Sequence, residues 1–80
     1  MKINLRIEAD SNVSLYCGGW LVSDDKDSRP LQVKLGNSAI AGLVSGIMPC
    51  HVEIPGKAAL RGNIRKSENN EFFIVDKVQS

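Results

Sequence analysis

Hydrophobic and polar side chains alternate from the second residue onward. In MKINLRIEAD, Ile3, Leu5, Ile7 and Ala9 interleave with Lys2, Asn4, Arg6 and Glu8, the period of two that turns one face of a strand to a core and the other to water. NVSLYCGGWLV keeps the period through Val13, Leu15 and Cys17 until Gly18 and Gly19 interrupt it. Paired glycines within a strand mark a bulge or sharp bend, so the pattern predicts a break there and leaves the side taken by Trp20 open. After SDDKDSRP, a polar stretch ending in proline that suits a solvated connection, Leu31, Val33 and Leu35 alternate with Gln32 and Lys34 as a third strand.

The period then changes. Ile40, Leu43, Val44 and Ile47 stand at i, i+3, i+4 and i+7, the spacing of one helical face, and Asn37 or Ser38 can cap its start by accepting from a free backbone N–H. Gly42 and Gly46 each weaken such a helix by about 1 kcal/mol relative to alanine, which limits it to one or two turns. Val52 and Ile54 suggest a brief extended piece before the turn signal Pro55-Gly56. Leu60, Gly62 and Ile64 alternate with Arg61, Asn63 and Arg65, the chain reverses at SENNE, where asparagine tolerates a left-handed turn conformation, and residues 72–78 complete a hairpin. Within FFIV, either Phe72 and Ile74 or Phe73 and Val75 face inward.

Three strands, a short helical connection and two further strands thus fill nearly the whole chain, with no internal repeat. That order, with Gly62 inside a strand and the closing hairpin NIRKSENNEFFIVDKV, resembles the OB-fold, a five-stranded partly open barrel that often carries a helix between its third and fourth strands. The fold class expected is all-β, or β-rich α+β: a five-stranded small OB-like barrel with one short helix, forming a single domain over residues 1–80. Other small barrels and a two-layer α+β sheet share the same order. Eighty residues suit one domain, and a chain of this length hides only about 60% of the surface it exposes unfolded.

Composition narrows the function classes. Apolar residues make up 42% and charged residues 24%, a globular rather than a disordered balance. The net charge is +1, so the footprint of a strongly basic nucleic-acid binder is missing from the total and has to be sought locally. The opening alternation is not the apolar run of a secretory signal. AIAGLVSGIMPC is shorter and more interrupted than the roughly 20 apolar residues that span a bilayer, so no membrane association is expected. Cys17 and Cys50 suit reduced thiols of a cytosolic core, which points to a cytoplasmic location.

Catalytic and metal chemistries find little support. His51, the one histidine, adjoins Cys50, and neighbours on an extended chain point to opposite sides, so adjacency does not make a nucleophile–base dyad. Cys17, Cys50 and His51 are too few and too scattered for a structural zinc. Asp24, Asp25 and Asp27 lack the later glycine and bidentate glutamate of a calcium loop, and no glycine-rich phosphate cradle is present. Asp76 interrupts the last apolar strand and is expected at the surface. Neither cofactor, metal nor enzymatic activity is expected.

Two surfaces remain. Between Gly36 and Gly56 the only charged residue is Glu53, and an apolar, charge-depleted patch is the mark of an interface core. The leading expectation is therefore a non-enzymatic binding or assembly module that meets another protein, or its own copy, through Ile40, Leu43, Ile47, Phe73 and Val75. The alternative is weak single-stranded nucleic-acid binding through Arg6, Tyr16, Trp20 and Lys34, aided by Arg61 and Arg65. Bases stack on aromatic faces while cations track phosphates. It requires Trp20 outside the barrel, whereas the lone tryptophan of a small domain also suits the core; Arg61 and Arg65 can pair with Glu71 or Asp76 instead of phosphate.

Overall fold

The computed structural model describes residues 1–22 and 30–78; the acidic stretch Asp24, Asp25 and Asp27 lies outside them. Among the described residues six strands, β1 (Lys2–Asp10), β2 (Val13–Leu21), β3 (Leu31–Leu35), β4 (Met48–Glu53), β5 (Leu60–Lys66) and β6 (Phe73–Lys77), surround one core, with the helix α1 (Ser38–Leu43) between β3 and β4. The sheet closes on itself in the order β1-β2-β3-β6-β5-β4, every neighbouring pair antiparallel. The β-rich class and the position of the helix agree with the sequence pattern. The sixth strand is the segment expected to be only briefly extended. Cys50, Val52 and Ile54 alternate inward while His51 and Glu53 face out, a period framed by two prolines that obscure it. Pro49 stands beyond the last β1–β4 pair, Ile7 with Cys50, so its missing N–H removes no bond to β1.

Five strands bury side chains in the core, and β2 packs Leu15, Cys17 and Leu21 against it half-buried. Ile3, Leu5 and Ile7 from β1, Leu31 and Val33 from β3, Cys50 and Val52 from β4, Ile64 from β5 and Val75 from β6 are buried, joined by Val44 and Ile54 from the connections. Fully burying an aliphatic side chain of this size contributes about 1.5–3 kcal/mol, so these positions dominate the stability of so short a chain. Cys17 and Cys50 are both free thiols directed to this side.

Two details of β2 differ from the pattern-based expectation. No bulge forms at the glycine pair: the β1 register runs unbroken from Lys2 with Trp20, through Ile3 with Gly19 and Asn4 with Gly18, to Glu8 with Ser14. The irregularity lies at the other end, between Glu8 and Asp10, and it leaves Ala9 and Val13 exposed. Gly19 instead answers a close approach, because a Cβ there would lie 2.3 Å from the carbonyl oxygen of Lys34 on β3. Alternation therefore carries through, and Trp20 shares its outer face with Tyr16.

The helix is shorter than its apolar spacing. Asn37 caps it, its side chain accepting from the N–H of Ile40 at 3.0 Å, but Val44 already has extended backbone. Ile40 packs against the core and Val44 is buried, whereas Leu43 and Ile47 are left outside, 57% and 69% exposed. The turn Ile54-Pro55-Gly56-Lys57 closes with a bond from the N–H of Lys57 to the carbonyl of Ile54, with Gly56 at φ +79°, a type II signature. The β5–β6 reversal places Asn70 at φ +59°, as asparagine in that turn predicts. Among the described residues no helix is long and apolar enough to cross a membrane.

Candidate functional site

The outer side of β1, β2 and β4 carries the densest group of chemically active side chains. Cross-strand pairing places them in rows. Lys34 on β3, Trp20 on β2 and Lys2 on β1 form the first row, followed by Gly18 with Asn4 and Glu53. Tyr16, Arg6, His51 and Arg61 form the next, spanning β2, β1, β4 and β5. Directly opposed residues in an antiparallel pair have Cβ atoms about 5 Å apart, so each row is a continuous band of side chains.

Both aromatic rings face solvent. Tyr16 is 70% and Trp20 46% exposed. Trp20 is not loose, since its ring edge lies against the backbone of Gly36, where a Cβ would sit 3.2 Å from Cζ3. Two adjoining open depressions of about 610 and 530 Å³ follow this face, one bordered by Tyr16, Arg6 and His51, the other by Trp20, Gly36 and Lys2; Asn4, Cys17 and Gly18 border both.

Electrostatics on the face are ordered by Arg6. Its Nη2 lies 2.6 Å from Nδ1 of His51. A guanidinium only donates, so that ring nitrogen accepts and the imidazole proton resides on Nε2, away from Arg6. Arg6 Nε is 3.2 Å from Glu8 Oε1, close enough for an ion pair though not aligned as a hydrogen bond, while Ser14 Oγ donates to the other oxygen of Glu8. Lys2, Lys34 and Arg61 have no ion-pair partner among the described residues. The face thus presents cations at Lys2, Lys34 and Arg61, with Arg6 partly neutralised and Glu53 as the opposing charge.

Of the residues singled out by the sequence, Arg6, Tyr16, Trp20, Lys34 and Arg61 come together here. Arg65 does not: it stands four residues along β5 from Arg61, opposite Ile74, and its Nε bonds to Asp76 Oδ2 at 3.0 Å. Asp76 is correspondingly a half-buried outer residue held in that pair.

The apolar set separates. Leu43 and Ile47 are exposed, but Ile40 and Phe73 pack on the core and Val75 is fully buried between Leu31 and Ile64. The outward expectation for Phe73 and Val75 is corrected, because Val75 pairs with inward residues on both sides and parity places Phe73 with it. Phe72 precedes the strand, and Ile74 and Asp76 take the outside.

No significant match emerges when the chain is compared with protein-family models, curated proteins and solved structures. Lys2 and Asn4 belong to the site and were not singled out by the sequence, and His51, weighed there only as a partner of Cys50 or a metal ligand, joins them. Lys2 and Asn4 shared the polar period of Arg6 and were legible in principle; His51 needed the β1–β4 pairing. His51 faces out while Cys50 is buried, so no dyad forms. Burial pushes the Cys50 thiol up to about 11 and raises Cys17 as well, the opposite of an activated nucleophile. Among the described residues no three His, Cys, Asp or Glu side chains gather as metal ligands.

Proposed function

We propose that the protein is a non-enzymatic binding module, an OB-like barrel whose outer β1–β2–β3 face holds single-stranded nucleic acid weakly. The observation that carries this reading is Trp20, outside the barrel on the same face as Tyr16 and flanked across the strands by Lys2 and Lys34. An exposed ring stacks on any base, and cations beside it track the phosphates. OB-folds use the corresponding face for single strands. The +1 net charge and the presence of Glu8 and Glu53 keep the affinity modest. Titration of the protein with short oligonucleotides at low salt, read by Trp20 fluorescence, tests it. The expected result is quenching whose affinity falls with a log–log salt slope of about −0.7 for each phosphate neutralised; an unchanged signal ends the reading.

A second reading rests on a separate observation. Leu43 and Ile47 are large, exposed and in a charge-free stretch, which favours contact between this end of the barrel and another protein or a second copy. Sedimentation at high concentration tests self-association.

A further inference from the structure

Gly18 lies between the two exposed rings, and nothing in the fold requires it to be glycine. Its φ is not positive, and an added Cβ would meet only ordinary contacts, 3.8 Å from the carbonyl oxygen of Ile3 and 3.9 Å from Oδ1 of Asn4. Gly19 and Gly36 differ, since a Cβ at either would press on neighbouring backbone or on Trp20. Glycine inside a strand costs about 0.5–1 kcal/mol relative to alanine. A strand that keeps one where the barrel does not need it gains only a bare patch on its outer surface.

That patch has a defined setting. Tyr16, Gly18 and Trp20 follow one another on the same face of β2, the Cα atoms that carry the two rings about 13 Å apart along the strand. Bases stacked on one another lie about 3.4 Å apart, so a strand that spreads its bases onto these separate rings has at least one base between them. Asn4 is the partner of Gly18 on β1, with its amide oxygen beside the bare position. An asparagine amide offers a carbonyl acceptor and an NH2 donor group, which can pair with N6–H and N7 of adenine respectively.

We infer that Gly18 is the floor of a base-binding seat between Tyr16 and Trp20, and that Asn4 reads the edge of an adenine resting on it. The ligand is a single-stranded segment of at least three nucleotides with adenine at its centre. This rests on the nucleic-acid reading above. A side chain at position 18 fills the seat without disturbing the core, and loss of the Asn4 amide removes the discrimination while leaving the stacking.

The test is a titration of the full chain and of Gly18→Ala, Gly18→Val and Asn4→Ala with oligo-dA and oligo-dT of equal length at low salt, followed by Trp20 fluorescence, with thermal midpoints measured alongside. The expected wild-type preference for oligo-dA is about tenfold. Gly18→Val is expected to lose that preference and bind more weakly, with a midpoint at or above wild type; Gly18→Ala falls between, and Asn4→Ala binds both oligomers alike. Wild-type binding that is unchanged in Gly18→Val, or equal for the two oligomers, overturns this inference alone. Failure of the wild type to bind either oligomer overturns the functional reading and this inference together.

Discussion

Arg6 on β1 and His51 on β4, 45 residues apart in sequence, are joined side chain to side chain at 2.6 Å. The bond crosses the β1–β4 pairing that closes the barrel and sets the position of the guanidinium between His51 and Glu8. A hydrogen bond of this kind contributes about 1 kcal/mol. His51→Ala and Arg6→Ala are each expected to lower stability by about that amount, and the double variant by less than the sum. Urea unfolding of the four proteins measures the coupling; strict additivity shows that the pair contributes nothing.

Tyr16 and Trp20 are exposed and separate from the buried core. Replacing either with alanine is expected to weaken oligonucleotide binding by about 1–3 kcal/mol; Tyr16→Ala leaves the urea midpoint nearly unchanged, whereas Trp20→Ala lowers it because the ring edge packs on Gly36. For Tyr16→Ala the Trp20 signal remains as the readout; for Trp20→Ala a labelled oligonucleotide replaces it. A large loss of stability in Tyr16→Ala would mean that the ring supports the fold.

Gly19 and Gly18 make an internal control. Gly19→Ala brings a Cβ to within 2.3 Å of the Lys34 carbonyl oxygen, and overpacking of this sort costs about 1–3 kcal/mol. Gly18→Ala is expected to be neutral or to stabilise by about 0.5 kcal/mol. Thermal unfolding of the two variants checks the difference, and equal midpoints would contradict the observed approach of β3 to β2.

Val75 and Ile47 separate the barrel wall from the exposed end. Val75→Ala is expected to destabilise by about 2 kcal/mol, whereas Ile47→Lys leaves the unfolding midpoint within about 0.5 kcal/mol of wild type. If the chain self-associates through Leu43 and Ile47, Ile47→Lys also lowers the sedimentation coefficient. A wild type that is monomeric at every concentration removes that second reading.

Cys50 sets an alkaline limit. A thiol whose value is raised on folding keeps its proton more tightly folded than unfolded, so its contribution is intact below the ordinary thiol value, about 8.5. It is lost as pH rises towards about 11, because unfolding then releases a proton. Stability is expected to fall across this window, less steeply in Cys50→Ala. Denaturant midpoints between pH 8 and 11 measure it, and parallel profiles for the two proteins would show that Cys50 titrates alike in both states.

Where a side chain's direction depends only on its near neighbours, the sequence by itself determined the outcome. The alternation around Ile3, Leu5 and Ile7 and around Leu31 and Val33 set the inner wall, Asn37 the start of the helix, and the asparagines of SENNE the last reversal. Only the tertiary structure decided matters that depend on approach between distant segments. Trp20 faces out because the glycine pair sits inside an unbroken β1–β2 ladder, with no residue added to shift the parity, and the missing Cβ of Gly19 leaves room for the Lys34 carbonyl of β3. Val75 turned inward because its partners on both sides, Leu31 and Ile64, were already committed to the core. His51 reached Arg6 only when β4 paired with β1. Where both faces are apolar, as in FFIV, a period of two states only that two faces exist; which one is inside follows from the strands that pack against it.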